Sequence, residues 1–422
     1  MTIWNKMTSW VSSGEKSSSE DSSKKTGNAP AGVVVREPVS PEEAEKLRRQ
    51  VEVLQDVLKV KPEDMATQYK LAEAWMKLER YGDALKPLKA VLAAEPEHSS
   101  ALFHMAECYM HIGRDEQALE ILEEAREKNP ESRTLVAQMA QAHTNMCVTA
   151  GKLKRYEESV MHFKEAVKLL PGFGPAHLAM GINYYQQGRY DHAIKIFEKT
   201  MELDPNLKVD AYHHLARSYA KKGEIKKAFK YYDQAIQVNP KAAVVHQDLG
   251  EFQFKLGKFE DAVVSLENAL SMSPKMSTDA WFKLGIARVR LNRVRAAEEP
   301  LRKALEISPD NQQVQDALTE VLYRVHQLHI KVSNPLDNLN ALREAVRINP
   351  THAKAQFALG QLYDLKNDGK RAIQHFLFAK NFFLEQKNRE GLAQTVKALP
   401  GLYDKYKLKP EDFEKLIMPS RH

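Results

Sequence analysis

Hydrophobic residues recur along this chain at i, i+3, i+4 and i+7, the spacing that gathers them on one face of a helix. From Met65 to the region of Phe382 the stripes come in pairs. Leu71, Ala72 and Trp75 make the first stripe; Ala84, Leu88 and Val91 make the second. Each pair predicts two antiparallel helices, and the pair itself returns about every 34 residues. Prolines close successive units at Pro62, Pro96, Pro130, Pro171, Pro205, Pro240, Pro274, Pro309 and Pro350. Small residues, from Ala84 and Ala118 through Ala262 to Ala372, stand where two helices must approach closely. Gly113, Gly188, Gly223 and Gly257 fall in the turns within pairs, where a positive φ is favoured.

The clearest unit runs from Gly174 to Pro205 and carries His177, Met180-Gly181, Tyr184, Gly188, Tyr190, Ala193, Phe197 and Thr200. It resembles the tetratricopeptide repeat, whose signature is W-x2-L-G-x2-Y, then A-x3-F, then P. The resemblance covers roughly four-fifths of the chain. It implies an all-α fold, a right-handed superhelical solenoid of antiparallel helix pairs. It also implies that the chain holds other proteins. Stacked repeats share one core however long the array grows, so 422 residues need not divide into compact domains.

The pattern gives four regions. Residues 1–39 read as a disordered tail, because 13–39 are mostly Ser, Lys, Glu, Gly and Pro with almost nothing to bury. Residues 40–62 open on the capping box Ser40-Pro41-Glu42-Glu43 and read as a half-repeat helix, with Leu47, Leu54, Val57, Leu58 and Val60 apolar. Residues 63–384 hold about nine repeats. Residues 385–422 read as capping helices, one through about Tyr406 and a short one near Glu411.

Two units, Pro130–Pro171 and Pro309–Pro350, exceed the period by about seven residues, or two helical turns. Gly151 with Val148-Thr149 favours a longer loop in the first; around Tyr323 to Lys331 a longer helix is expected, with Asn334-Pro335 starting the next. Pro87 and Pro300 occupy equivalent sites inside second helices and should bend them.

Enzyme signatures are absent: no phosphate-binding glycine loop, no nucleophile elbow and no H-E-x-x-H, and hardly a strand to carry the first two. A non-enzymatic chain without cofactor is expected. His104 and Cys108, and His143 and Cys147, sit four apart on successive first helices, as zinc ligands can. The two pairs start at different positions in repeat register, so packing is the preferred reading and no metal is assigned. Two cysteines, no apolar run long enough to span a bilayer and no secretory stretch place the chain in the cytoplasm.

By resemblance, the second, fifth, ninth, twelfth and thirteenth residues of each first helix line the concave face. From those positions the partner-binding candidates are Phe103, Leu178, Ile182, Tyr185, Arg217, Lys221, Phe254, Phe282, Ile286, Arg290 and Phe357. A protein or peptide partner is expected there. Some relatives grip a chaperone tail through a carboxylate clamp, but Tyr69 and Glu73 stand where its opening Lys and Asn are required. The asparagine ladder of sugar-transferase relatives is missing too, since Lys70, His104, Gln138, Ala179 and His214 occupy its positions.

The net charge of +6 is mild, but its distribution is uneven. Glu116, Glu120, Glu123, Glu124 and Glu127 make one outer helix acidic, whereas Lys221, Lys222, Lys226, Lys227 and Lys230, and then Arg288 to Lys303, are basic. An acidic partner or a homo-oligomer follows as an expectation. Nucleic acid is not expected, because no aromatics interleave the bases on that face. Ile3, Trp4, Met7, Trp10 and Val11 fall on one third of a helical wheel. They read as a recognition segment (residues 2–12) for a partner, for the chain's own groove, or weakly for a membrane surface, with Lys6 its single basic residue.

Overall fold

The computed structural model describes residues 40–274, 277–330, 339–416 and 418–420. Ile3, Trp4, Met7 and Trp10, the stretch 13–39 and the Asn334-Pro335 helix start lie outside the described residues. Among those described there are helices and turns and no strand. The fold is an α-solenoid of antiparallel helix pairs, in two compact units that divide at Asn239 and Pro240.

The first unit opens with the lone helix α1 (Pro41–Val60) and continues with five pairs. They are α2 (Met65–Lys77) with α3 (Tyr81–Ala94), α4 (Ser99–His111) with α5 (Asp115–Lys128), and α6 (Arg133–Lys152) with α7 (Tyr156–Leu169). Then come α8 (Gly174–Gln186) with α9 (Tyr190–Leu203), and α10 (Lys208–Lys222) with α11 (Ile225–Val238). First and second helices start differently. Asp64, His98 and Ser132 cap α2, α4 and α6 by accepting a backbone N–H three residues on. Second helices α3 and α5 lack a side-chain cap and follow a tight turn through a left-handed residue instead. At Gly113 (φ +75°) that turn lets Arg114 N–H donate to the Tyr109 carbonyl at 2.9 Å, closing the end of α4. Glycine supplies four of these turns, but Glu79, Lys154 and Asn292 adopt the same conformation, so the turn is imposed by helix packing as well as by glycine.

Pairs close where a glycine on the first helix meets a large side chain of the second. A Cβ at Gly181 would lie 2.5 Å from the Phe197 ring, and Phe197 is fully buried. Two structural outcomes in this unit depart from the sequence reading. The extra residues before Leu153 form no loop: α6 is one helix of 20 residues through Gly151. Gly151 is required by packing, since a side chain there would overlap the Asn183 amide, which donates to the Cys147 carbonyl at 3.1 Å and to Ser159. In α1, Val57 and Val60 are exposed, and Val51 (3% exposed) does the burying with Leu47. Pro87 is accommodated inside an uninterrupted α3.

The second unit contains α12 (Ala243–Lys255) with α13 (Phe259–Met272), α14 (Thr278–Arg290) with α15 (Glu298–Ile307), and α16 (Gln312–Ile330) with α17 (Leu339–Ile348). It ends with α18 (Ala353–Leu365), α19 (Gly369–Glu385) and α20 (Arg389–Tyr406). Here the extended helix is α16, with 19 residues, as its sequence pattern predicts. At Pro300 the second helix does not run as one α-helix: a 3-10 turn at Arg295–Ala297 precedes α15 and puts Pro300 in the first α-helical turn, where no N–H is needed. Leu301, Leu318, Leu322, Leu342 and Leu359 form one core, and Phe376, Leu399, Leu402 and Phe413 form another beneath α20.

Candidate partner-binding face

The fifth residue of each first helix points in one repeated direction, so the environment of that position shows where a face stays open. In α2 and α4 it is Tyr69 and Phe103. Both border a cleft of about 1040 Å³, together with His104, Leu102, Leu135 and the hydroxyls of Ser99 and Ser100. Tyr69 is held in place by its hydroxyl, 3.1 Å from His104 Nδ1, and by the His104 ring, whose centroid is 5.6 Å away. Burial, with Glu73 nearby, raises the phenol pKa, so Tyr69 remains a neutral hydrogen-bonding group. Glu97 and Lys128, paired at 3.8 Å, and Glu131 give the cleft a polar rim. An apolar wall with a few polar groups suits a peptide or side chain.

The other candidates are placed differently. Leu178 is 2% exposed, so it belongs to the helix stack and is corrected as a surface residue. Ile182 is half-buried. Tyr185 and Arg217 are brought together, the guanidinium standing 5.0 Å from the ring centroid, with Tyr190 at 5.5 Å on its other flank. Lys221 is exposed beside them. In the second unit Phe254 packs edge-on to Phe259 at 5.4 Å. Phe282 lies against the Leu301 core, and Phe357 meets Phe376 at 5.0 Å and Phe383 at 6.3 Å. These three phenylalanines hold helices together. Ile286 is half-buried, and Arg290 is exposed. A polar bridge, Lys283 Nζ to Glu251 at 2.9 Å, joins α14 to α12 across the same face.

Sequence reasoning missed two features. A second cleft of about 600 Å³ lies among α16, α18 and α20, walled by Ala358, Leu362, Phe376 and Leu402, with Lys405 and Asp364 paired at 2.7 Å on its rim. Its C-terminal wall lies beyond the repeats, where the period gives no register. Aromatics also interleave the basic face after all: Tyr219 and Tyr231 stack in parallel at 5.3 Å, with Lys227 5.0 Å from the Tyr219 ring. Tyr219 is only 8% exposed, so it offers no platform to a nucleic-acid base.

The charge clusters resolve into paired and unpaired groups. Lys222 bridges Asp191 and Glu224 at 2.6 and 2.9 Å, Arg288 holds Glu267 at 2.7 Å, and Arg302 holds Glu298 and Glu344. Arg290, Arg293 and Arg295 stay exposed. The two His/Cys pairs do not converge. Cys108 is buried in the core beside Leu88, and Cys147 bonds with Ser159 at 3.3 Å, its thiol pKa pushed up by burial. Among the described residues no group of three or more metal-ligating side chains comes together, and no helix is long and apolar enough to cross a membrane.

A solenoid of helix pairs with one partly open first-helix face defines a tetratricopeptide-repeat protein, and the tetratricopeptide-repeat profile matches residues 76–142. Within that class the chain belongs to the family described as the cilia and flagella-associated protein 70 C-terminal domain, which matches residues 173–399, more than half its length. Curated relatives include the "Protein STIP1 homolog" of Dictyostelium discoideum, 32% identical over 23% of this chain and 17% of that protein. "BBSome complex member BBS4" of Bos taurus is 26% identical over 40% of this chain and 30% of that protein. The chain spans only 11–39% of the length of the first curated relatives it matches. Among solved structures, the APC/C hetero-tetramer Cut9-Hcn1 aligns over 78% of this chain and 61% of that chain, at 20% identity and a TM-score of 0.40.

Proposed function

We propose that this chain is a non-enzymatic, cytoplasmic scaffold that holds a segment of another protein against the first-helix face of its N-terminal unit. The observation that carries this reading is the open cleft beside Tyr69 and Phe103, which the repeat leaves half-buried on its border. Large aromatics in a partly desolvated cleft are the residue type that anchors protein interfaces. The family's name directs the search for partners to proteins of cilia and flagella. Replacing Phe103 with Ala should weaken partner binding by about 1–2 kcal/mol while leaving helical content unchanged. Equal affinity of the parent and the Phe103→Ala chain in calorimetry would remove the cleft from the account.

A second copy as the partner is the competing reading, supported by the exposed glutamates of α5 and the unpaired Arg290, Arg293 and Arg295. Association of that kind weakens as salt screens it, over about 10 Å at 0.1 M. Sedimentation at low and high salt separates the two readings.

A further inference from the structure

An end helix of a repeat stack presents a polar outer face. Helix α1 covers the end in part, burying Leu47 and Val51, with Leu54 and Leu58 half-buried against Leu71, Ala74 and Trp75 of the first pair. Yet its outer side carries Val53, Val57 and Val60, which are 62%, 39% and 79% exposed. Spaced four and three apart, they form one stripe about 10 Å long at 1.5 Å per residue. Valine is a middling helix former, so making the helix does not call for it at these positions. The charges beside the stripe are satisfied within the helix: Arg49 meets Glu45 at 3.2 Å and Lys59 meets Asp56 at 2.8 Å. Among exposed polar neighbours such as Gln50, Glu52 and Gln55, the three valines are the apolar strip that α1 leaves uncovered.

We propose that this stripe seats the apolar side chains of the chain's own residues 2–12, namely Ile3, Trp4, Met7 and Trp10. Size fits, because from Ile3 to Trp10 a helix would also run about 10 Å. Reach fits, because the chain enters α1 at Ser40, and Val53 to Val60 lie about 20–30 Å along the helix from there. The roughly 27 intervening residues could span up to about 90 Å. Chemistry fits as well. A shallow row of valines offers no pocket, and it is best covered by broad, adaptable side chains such as Trp and Met. Thr2, Asn5 and Ser9 then remain on the wet side. The seat is separate from the Tyr69–Phe103 cleft, so each reading stands or falls without the other.

The test uses the full chain with fluorinated tryptophan. Of its four tryptophans, Trp4 and Trp10 report on the segment, Trp75 lies under α1, and Trp281 serves as a control. Trp4→Ser and Trp10→Ser chains assign the fluorine resonances. The proposal expects Trp4 and Trp10 signals that differ from those of a synthetic 1–12 peptide and do not move on tenfold dilution. In the doubly substituted Val53→Glu, Val57→Glu chain they should collapse onto the peptide positions while Trp281 stays fixed. Signals that already match the peptide, or that ignore the α1 substitutions because the segment sits elsewhere, overturn it. Signals that move on dilution show a second copy as the occupant and overturn it too. Should the doubly substituted chain melt early, Ile3→Glu with Met7→Glu gives the same reading with α1 untouched.

Discussion

In the first unit Tyr69 and Phe103, at the fifth position of α2 and α4, border an open cleft. In the second unit the same position holds Phe282 and Phe357, which are half-buried as Tyr69 and Phe103 are and, like Tyr69, pack against a core, but do not border that cleft. The difference comes from what surrounds the position. Phe357 is met by Phe376 and Phe383 of α19, a helix three residues longer than α3. Around Tyr69 the starts of α4 and α6 supply Ser99, Ser100 and Ser132, which are too small to fill the space. Repeat register therefore tells which way a side chain points, and the size of neighbouring side chains decides whether the face is open.

The largest effect should come from the glycine–aromatic contact that the two units share. Phe197 over Gly181 and Phe376 over Gly360 are both buried. Phe197→Ala and Phe376→Ala should each cost about 3–5 kcal/mol in urea unfolding. A loss below about 1 kcal/mol for either would mean that the contact is incidental in that unit.

The units also carry opposite acid responses, at the half-buried His375 and the buried Asp115. His375 stacks on Tyr363 at 5.3 Å and bonds to Gln356 at 2.7 Å. Burial, helped by Arg371 and Arg343, holds its imidazole down at about 4. The unfolded chain takes up that proton near pH 6.5, so the His375 contribution is full above that pH and is lost as pH falls toward 4. About 2–3 kcal/mol should disappear across this window, and His375→Gln should flatten the slope. An unchanged slope in urea midpoints from pH 7 to 4.5 would contradict the assignment.

Asp115 responds the other way and somewhat less. It is 7% exposed, accepts from Asn145 at 2.9 Å, and burial pushes its carboxyl up to about 6. The folded chain holds this proton where the unfolded chain has released it. Stability is therefore fullest below about pH 4 and falls as pH rises through 6. Asp115→Asn should stabilise the chain by about 1–3 kcal/mol at pH 7.5 and change little at pH 4. A destabilised variant at pH 7.5 would show that the charge is compensated.

The period, the pairing and the glycine turns at Gly113 and Gly188 were legible in the sequence because each follows from local backbone geometry and helix spacing. The continuation of α6 through Gly151 was not. That glycine reads as a break until Asn183, more than thirty residues away, is seen to need its space. The site was half legible. Register picked out Phe103 and the Tyr185–Arg217 pair, but it also picked out Leu178, which is buried, and Phe357, which packs on Phe376, through helices that a one-dimensional pattern does not place. Val51 and Val57 were likewise indistinguishable until α1 was set against α2.

The central claim is that Phe103 borders the N-terminal cleft, whereas the equally half-buried Phe357 is engaged by the rings of Phe376 and Phe383. Placing a photo-crosslinking benzoylphenylalanine at position 103, at 357, or at the outer-helix Glu123, and irradiating each chain with a ciliary or cytoplasmic extract, tests it directly. The account predicts a discrete polypeptide adduct from position 103, lost when Tyr69 is changed to Ala, and none of that adduct from 357 or 123. Equal labelling from 123, or none from 103, would contradict it.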